Sequence, residues 1–349
     1  MRASALLRQA AAPGTGAEAY HKSLAYASNL VRRQDHEALW ASYFYPPPLQ
    51  PAYLALRAFN IELAGLPDQV SNQMIGRMRF QWWKDAVRGL YEHKAPPHPL
   101  LNLLANLPQR PFLSQYHFAR LVTARENNFL NPTFHSLQDL ADYSASTQAS
   151  LLYLLLQATA AGSSPSSSAP IPVGGAATRH ATPFEHVGHE HDPVEPGSVA
   201  DLKPADDLTL DHAASHLAVA TTIATLVRSI PHHAAKRVNV IPLEVAARHG
   251  LQEEALFRHG PEAPGLQDAV AQLAGIAEAE LRTARECFQG TTGVPKRAVP
   301  VFLSATPARS YLDRLSAAKV DYNPFDKSLQ GRYWKLPFQV WGDSRKGHF

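Results

Sequence analysis

The sequence of 349 residues contains a single cysteine, Cys287. One cysteine excludes a disulfide framework within the chain and any zinc or iron–sulfur site built from several cysteines. Long apolar runs are also missing. The longest, residues 151–156, lies between Gln148 and Gln157 and is far shorter than the roughly 18–20 residues of a membrane-spanning helix. We therefore expect a protein that is soluble or lies on a membrane without crossing it.

Several chemical signatures are absent as well. The sequence has no glycine-rich phosphate loop, no His-Glu-x-x-His motif and no nucleophile elbow. The formal net charge is only +3, from 33 basic and 30 acidic residues, which is too small to favour nucleic acid as a partner. Serines and histidines are plentiful, but no pattern links a particular pair of them into a catalytic site.

The N-terminal segment has almost no acidic residues, since Glu18 is the only acid among the first 34 residues. A helix that carries Arg2, Leu6 and Arg8 would be amphipathic, which is the pattern of an organellar targeting segment. We predict such a presequence over residues 1–22, and an ordinary frayed terminus is the alternative.

Helical periodicity dominates most of the remaining sequence. Apolar residues recur at helical spacing from 23 to 161 and from 205 to 325, and no convincing set of period-2 strands is present. We predict an all-α protein, with these two stretches forming a single-domain helical bundle. An aromatic and basic tail over 326–349 completes the chain.

Caps and helix breakers predict some of the helix ends. Ser136 followed by Asp139 predicts the start of one helix over 137–159. Pro231 is expected to end a helix that starts at Asp211, because proline lacks the backbone N–H that a helix interior needs.

A break in composition separates the two helical stretches. Residues 162–204 contain seven prolines, five glycines and six serines, and such a segment cannot bury enough apolar surface to offset the entropy of ordering it. We predict a disordered insertion within one domain. Its histidines suggest a metal site, but a polar tract with incidental histidines is the favoured interpretation. These histidines are His180, His186, His189 and His191.

Two regions are similar to the signature regions of one known family. Residues 40–48 (WASYFYPPP) and 52–60 (AYLALRAFN) resemble the start of the squalene/phytoene synthase superfamily, and residues 213–242 resemble its second signature helix. The resemblance implies an all-helical bundle of the isoprenoid synthase type. It also implies two pairs of aspartates that hold Mg²⁺ against the diphosphate of a prenyl substrate. Carboxylates four residues apart share one helix face and supply the hard oxygen ligands that Mg²⁺ prefers.

The positions that correspond to those aspartates hold other residues in this sequence. Both signatures keep their arginine, but all four aspartates and the asparagine of the second signature are replaced. The corresponding positions are Arg57, Asn60 and Ala64 in the first signature and Thr225, Arg228, Ser229 and His233 in the second. We therefore expect a pseudoenzyme that has no catalytic, cofactor-binding or metal-binding residue at these positions and uses no cofactor.

Neighbouring side chains are not expected to replace the lost aspartates. Glu62 is two residues from Asn60, about 200° around the helix, and should face away. Asp68 is expected to lie off the helix, beyond Gly65 and Pro67. The histidines His232 and His233 are poor ligands for Mg²⁺.

Further blocks resemble a branch of the same superfamily that lacks these aspartates. The blocks are residues 29–35, 55–64, 75–84, 125–128, 143–153 and 211–216. That branch acts in early assembly of mitochondrial respiratory complex I. The resemblance implies location in the mitochondrial matrix, peripheral contact with the inner membrane, and complex I assembly intermediates or membrane-embedded core subunits as partners. The alternative is an isoprenoid or prenyl-diphosphate transferase, or a protein that binds an isoprenoid or lipid ligand in the inherited cavity.

Two surface regions each have two interpretations. The basic residues of the helix over 75–91 form either a contact for a partner or anionic lipid, or a solvated helix face, which is favoured. The aromatic residues of the tail either anchor it at a membrane interface or fold back over the core, and Pro337 argues against one continuous helix. These residues are Tyr333, Trp334, Phe338 and Trp341.

The two retained arginines have a structural interpretation and a functional one. Arg57 and Arg228 are expected to pair with Glu62 or other acids, because a buried arginine without a partner is costly. They are alternatively remnants of an anion-binding pocket. Three residues at helical spacing are expected to pack rather than react: Tyr143, Gln148 and Tyr153.

Overall fold

The computed structural model describes residues 15–162, 205–347 and 349, and these residues form sixteen α-helices without a β-strand. This confirms the predicted all-α class. The helices are α1 (Thr15–Gln34), α2 (His36–Ser42), α3 (Gln50–Ala64), α4 (Leu66–Gln69), α5 (Gln73–Tyr91), α6 (Pro99–Ala105), α7 (Gln115–Leu130), α8 (Leu137–Ser146), α9 (Gln148–Ala161), α10 (Asp207–Ala235), α11 (Leu243–Arg248), α12 (Glu253–His259), α13 (Leu266–Glu286), α14 (Val299–Phe302), α15 (Ala305–Leu315) and α16 (Leu336–Lys346).

Two predicted segments fall largely outside the described residues. All but Gly162 of the predicted insertion over 162–204 lies outside them, and so do its four histidines. Residues 1–14 of the predicted presequence over 1–22 also lie outside the described residues. Helix α1 begins at Thr15, so the last part of that segment is helical, and its boundary stays a prediction.

The predicted start of the helix at Ser136 is confirmed, but its predicted length is not. Ser136 and Asp139 form a complete capping box at the start of α8, as predicted. The single helix predicted over 137–159 was wrong, because the helix breaks at Thr147. The backbone there leaves the regular helical conformation, and the Thr147 hydroxyl donates to the carbonyl of Tyr143 at 2.7 Å.

Helix α10 continues beyond its predicted end. It begins after Asp206, whose side chain accepts from the N–H of Thr209, and it runs through Pro231 to Ala235. The prediction that Pro231 ends this helix was wrong. Ile230 and Ala234 are both buried, and this packing holds the last turn although proline removes one backbone hydrogen bond.

Helix α10 is also the central helix of the bundle, and it contacts α8, α9, α13 and α15. Its 29 residues have a mean hydropathy of 1.3 in an 18-residue window, which is apolar and long enough to cross a membrane by composition and length alone. However, 72% of that window is buried inside the fold. Burial against neighbouring helices therefore explains the apolar composition.

Nearly all buried apolar side chains of the described residues form one cluster. Helices α3 and α9 contribute to it on most of their sides, so both are central to the core. A second, small cluster joins Leu303 to Leu336 and Val340. It fastens α16 to the main bundle, next to α2 and α15.

Candidate functional site

A central cavity of about 440 Å³ lies among the long helices of the bundle. Helices α2 and α3 form one side, α10 and α15 form another, and residues of α4, α7, α8 and α9 complete the wall. Its lining mixes apolar side chains with charged and hydroxyl-bearing ones. The cavity is therefore open, with a mixed polar and apolar lining, rather than filled by side chains.

Five of the seven signature positions line this cavity. They are Arg57, Asn60 and Ala64 on α3, and Thr225 and Arg228 on α10. The other two, Ser229 and His233, do not line it. The Ser229 hydroxyl donates instead to the carbonyl of Leu226 at 2.8 Å. The fold thus brings the two signature helices together around one space, as the family resemblance implies.

The arginine of the first signature is held by an acid that the sequence pattern does not single out. Arg57 forms an ion pair with Asp35, whose other oxygen accepts from the N–H of Ala38 at 3.0 Å and so caps α2. The pairing of Arg57 with an acid was predicted, but the acid is not Glu62. The carboxylate of Glu62 accepts from the hydroxyl of Tyr26 and does not line the cavity.

The electrostatics of this pair favour the charged forms of both partners. Burial alone would raise the pKa of the Asp35 carboxyl, but the guanidinium of Arg57 and the N–H of Ala38 outweigh it and lower the pKa below its ordinary value of 3.8. The neighbouring Asp35 carboxylate raises the pKa of Arg57, against the opposing effect of burial. The pair is therefore ionised at neutral pH.

Two further ion pairs lie at the cavity wall. Arg228 donates from Nη1 to both carboxylate oxygens of Glu37, at 2.8 and 2.9 Å. Lys236 donates to Asp68 at 2.5 Å. Asp68 lies beyond the end of α3, as predicted, on the separate short helix α4, and it lines the cavity. Gly65 is the C-cap that ends α3.

Arg125 brings a third guanidinium to the cavity. It donates to the side-chain oxygen of Asn60 at 3.0 Å and to the hydroxyl of Tyr143 at 2.7 Å. Its Nε atom and that of Arg57 are buried without a hydrogen-bond partner among the described residues. Tyr143 and Gln148 line the cavity while Tyr153 does not. Tyr143 therefore positions Arg125 as well as packing.

These residues do not fit the Mg²⁺ ions that the family resemblance implies. Asn60 and Ala64 offer no carboxylate, and the Thr225 hydroxyl donates to the carbonyl of Thr221 at 2.7 Å. The three acids that do line the cavity, Asp35, Glu37 and Asp68, are each ion-paired with a cationic side chain. Binding Mg²⁺ there would require breaking these pairs, so no step through a metal–diphosphate complex follows from this donor set.

Some cavity residues that the sequence analysis did not identify lie in blocks that carry the family resemblance. Asp35 ends the block over 29–35, and Arg125 and Tyr143 each begin a block. These blocks carry the family resemblance, but a linear sequence does not connect their residues across helices. Nothing in the sequence pairs Glu37 with Arg228, which is 191 positions away.

The C-terminal tail packs on the bundle through apolar side chains, while membrane anchoring by its aromatic residues stays a prediction. Leu336 and Val340 are buried in the small cluster, so the tail folds back on the bundle. Trp334, Phe338 and Trp341 point outward, with 71%, 68% and 54% of their surfaces exposed. Pro337 lies in the first turn of α16 and starts this helix rather than interrupting it.

Cationic groups lie beside the exposed aromatic rings of the tail. Lys335 lies 5.4 Å from the ring centroid of Trp334, and the Arg345 guanidinium lies 4.8 Å from that of Trp341. We call the set Trp334, Lys335, Phe338, Trp341 and Arg345 the C-terminal surface. It presents apolar rings and positive charge together.

Comparison with known proteins agrees with the fold. The family model of squalene/phytoene synthase matches residues 31–338. NADH dehydrogenase (ubiquinone) complex I, assembly factor 6 of Mus musculus is 31% identical over 332 residues, covering 95% of this chain and 84% of that protein. Its homolog in Drosophila melanogaster is 30% identical over 332 residues, covering 93% and 84%.

Solved structures of similar fold are more distant in sequence. A dehydrosqualene synthase in complex with a ligand has a TM-score of 0.69 at 16% identity, covering 95% of this chain and 98% of that one. A squalene synthase from Alicyclobacillus acidocaldarius has a TM-score of 0.64 at 16% identity, covering 88% and 97%. At such low identity these likenesses concern the fold alone.

Proposed function

The chain belongs to the squalene/phytoene synthase family, and we propose that it is a non-catalytic member that acts in early assembly of mitochondrial respiratory complex I. The observation that carries this proposal is the similarity to complex I assembly factor 6 over nearly the whole chain. The cavity supports it, because ion pairs and neutral side chains replace the carboxylate sets needed for Mg²⁺–diphosphate chemistry.

The proposed location is the mitochondrial matrix, at the surface of the inner membrane. The C-terminal surface supports this placement, since aromatic rings with cationic neighbours suit the interface of an anionic bilayer. Each Lys or Arg close to such a surface adds about 1 kcal/mol of attraction. The proposed partners are complex I assembly intermediates, or a membrane-embedded core subunit that is reached from this position.

Gene disruption with complementation tests the proposed function. Cells of the source organism that lack the gene should show reduced assembled complex I on native gels, and the wild-type chain should restore it. An Arg57→Met/Asp35→Asn variant, which removes one ion pair of the cavity, should also restore assembly if the cavity has no catalytic role. Normal complex I in the disrupted cells would refute the proposal.

Vesicle binding tests the proposed membrane contact. The purified chain should co-sediment with vesicles that contain anionic lipid, and Phe338→Ser/Trp341→Ser should weaken binding by at least about tenfold, because each ring buries apolar surface in the interface. The matched control is Met74→Ser/Met78→Ser, which removes two exposed apolar side chains of α5. Equal binding of both variants and the wild type would contradict a role for the C-terminal surface.

A second candidate function is binding or transfer of an isoprenoid or lipid, and the open cavity favours it. Its volume lies in the range of small-molecule sites, about 300–1,000 Å³, and Arg125 directs a guanidinium toward Asn60 within it. Incubation with prenyl diphosphates and Mg²⁺ distinguishes the two functions, since a Mg²⁺-dependent product would overturn the non-catalytic proposal. Mass spectrometry of the extracted protein would detect a ligand held without turnover.

A further inference from the structure

Three side chains of metal-binding types meet where helices α10 and α13 pack together. His212 and His216 are four residues apart on α10 and share one face of it, while Cys287 directly follows α13. One ring nitrogen of each histidine and the sulfur of Cys287 all lie within 4.8 Å of one another. None of the three lines the central cavity, so the cluster is separate from the site described above.

A buried carboxylate fixes the orientation of His216. Glu280 on α13 is only 7% exposed, and its Oε2 lies 2.6 Å from Nδ1 of His216. A carboxylate in this place accepts the proton of Nδ1, so the lone pair of His216 lies on Nε2, the atom that contacts His212 and that a cation would bind. Metal-binding histidines are commonly held by an acid in this way.

The nitrogen spacing matches a metal site. Nε2 of His216 lies 3.1 Å from Nε2 of His212, near the roughly 3.3 Å that separates two nitrogen ligands on a tetrahedral Zn²⁺ with bonds of about 2.0–2.1 Å. The two Nε2 atoms share one hydrogen bond, and a bound metal ion would take the place of its proton. The sulfur of Cys287 lies at most 4.8 Å from these nitrogens. A shift of about 1 Å would bring it to the N···S spacing of about 3.6 Å that is expected around zinc.

The surroundings also suit a metal ion. His212 is exposed and Cys287 is half-buried. The cluster is thus accessible from solvent on the side of His212.

We propose that His212, His216 and Cys287 bind one Zn²⁺ ion, with Glu280 orienting His216 and a water molecule in the fourth position. Two imidazoles and a thiolate are ligands that zinc prefers, whereas Mg²⁺ and Ca²⁺ favour oxygen. The ion would join the first turns of α10 to the end of α13. It would therefore resist separation of these two long helices.

Cobalt substitution tests the site, because Cys287 is the only cysteine of the chain. We expect the reduced, metal-free, full-length protein to bind one Co²⁺ with a thiolate-to-cobalt charge-transfer band, and Zn²⁺ to displace it. Cys287→Ser should abolish the band even if other histidines bind Co²⁺, because the band requires a thiolate ligand. His212→Asn and His216→Asn should each weaken binding at least about tenfold, and Glu280→Gln about 10–100-fold.

A second histidine pair on the same helix provides the matched control. His232→Asn and His233→Asn change adjacent histidines near the other end of α10 and should leave the band and the affinity unchanged. Because His212 is exposed, His212→Asn is expected to fold normally, which circular dichroism checks. Absence of the charge-transfer band, or a band that persists unchanged in both His212→Asn and His216→Asn, would refute the proposal.

Discussion

The ion pair between Asp35 and Arg57 gives the sharpest prediction about stability. Asp35→Asn removes the negative charge but keeps a side chain that can cap α2, because asparagine is as good an N-cap as aspartate. The change therefore isolates the charge of Asp35. It leaves the guanidinium of Arg57 in the cavity wall without its carboxylate partner.

The expected loss follows from how much of the pair is exposed. The side chains of Arg57 and Asp35 are only 15% and 21% exposed, and removing one partner of a buried pair costs about 3–5 kcal/mol. Water that enters the cavity would solvate Arg57 in part, so we expect a loss of about 2–3 kcal/mol. The control is Glu37→Gln, whose partner Arg228 is 43% exposed; its loss should stay below about 1 kcal/mol.

Denaturant unfolding at several pH values measures both effects. The lowered pKa of Asp35 means that its contribution is fully present above the ordinary value of 3.8 and disappears as the pH falls through the folded-state pKa. The difference between the wild type and Asp35→Asn should therefore be constant near neutral pH and shrink in acid. The double variant Asp35→Asn/Arg57→Met should recover part of the loss, because it removes the unpaired charge.

Two results would refute this reasoning. One is a free energy of unfolding of Asp35→Asn within about 0.5 kcal/mol of the wild-type value at neutral pH, because the ion pair would then contribute no more than a weak surface pair does. The other is a loss that stays unchanged in acid, which would show that packing or capping, rather than charge, is responsible.

The other stability predictions concern glycines and a cap, all checked by thermal or denaturant unfolding. Gly76→Ala should destabilise by about 1–3 kcal/mol, because its Cβ would lie 2.2 Å from the ring of Phe129. Gly275→Ala should instead stabilise the fold by about 0.5–1 kcal/mol, because Gly275 lies inside α13 and a Cβ there would have no described residue outside the local helix backbone within 4 Å. A loss of stability would contradict the open space at this position. Ser136→Ala should cost about 1 kcal/mol, because it removes half of the capping box with Asp139; an unchanged melting temperature would argue against that cap.

The fold could be predicted largely from periodicity and local caps. The 3.6-residue spacing, the absence of strand patterns and the Ser136 cap all report interactions within a few residues, which a sequence displays directly. The error at Pro231 arose where tertiary packing decides, and the error at Thr147 arose at a side-chain hydrogen bond to the backbone one helical turn away. A buried neighbour can hold a turn after a proline, and a side chain can break a helix that its sequence permits.

The cavity could be predicted only in part. Signature spacing located the residues of α3 and α10 that face each other, since that information lies within each helix. The partners of Arg57 and Arg228 come from α2, and their choice depends on how helices are placed in space. The cluster of His212, His216 and Cys287 was missed for the same reason, because its parts lie 71 positions apart in the sequence.

The burial of α9 has a consequence for how the chain is made. Its leucines pack against α3 and α7, which are synthesised earlier, but also against α10, which comes after residues 163–204. A nascent chain that ends before α10 therefore exposes an apolar helix face with no partner, and such faces favour aggregation and chaperone binding. The helices before residue 163 and those after residue 204 therefore need each other to bury α9. When the chain is divided between residues 162 and 205, we expect the two fragments to be insoluble unless they are produced together.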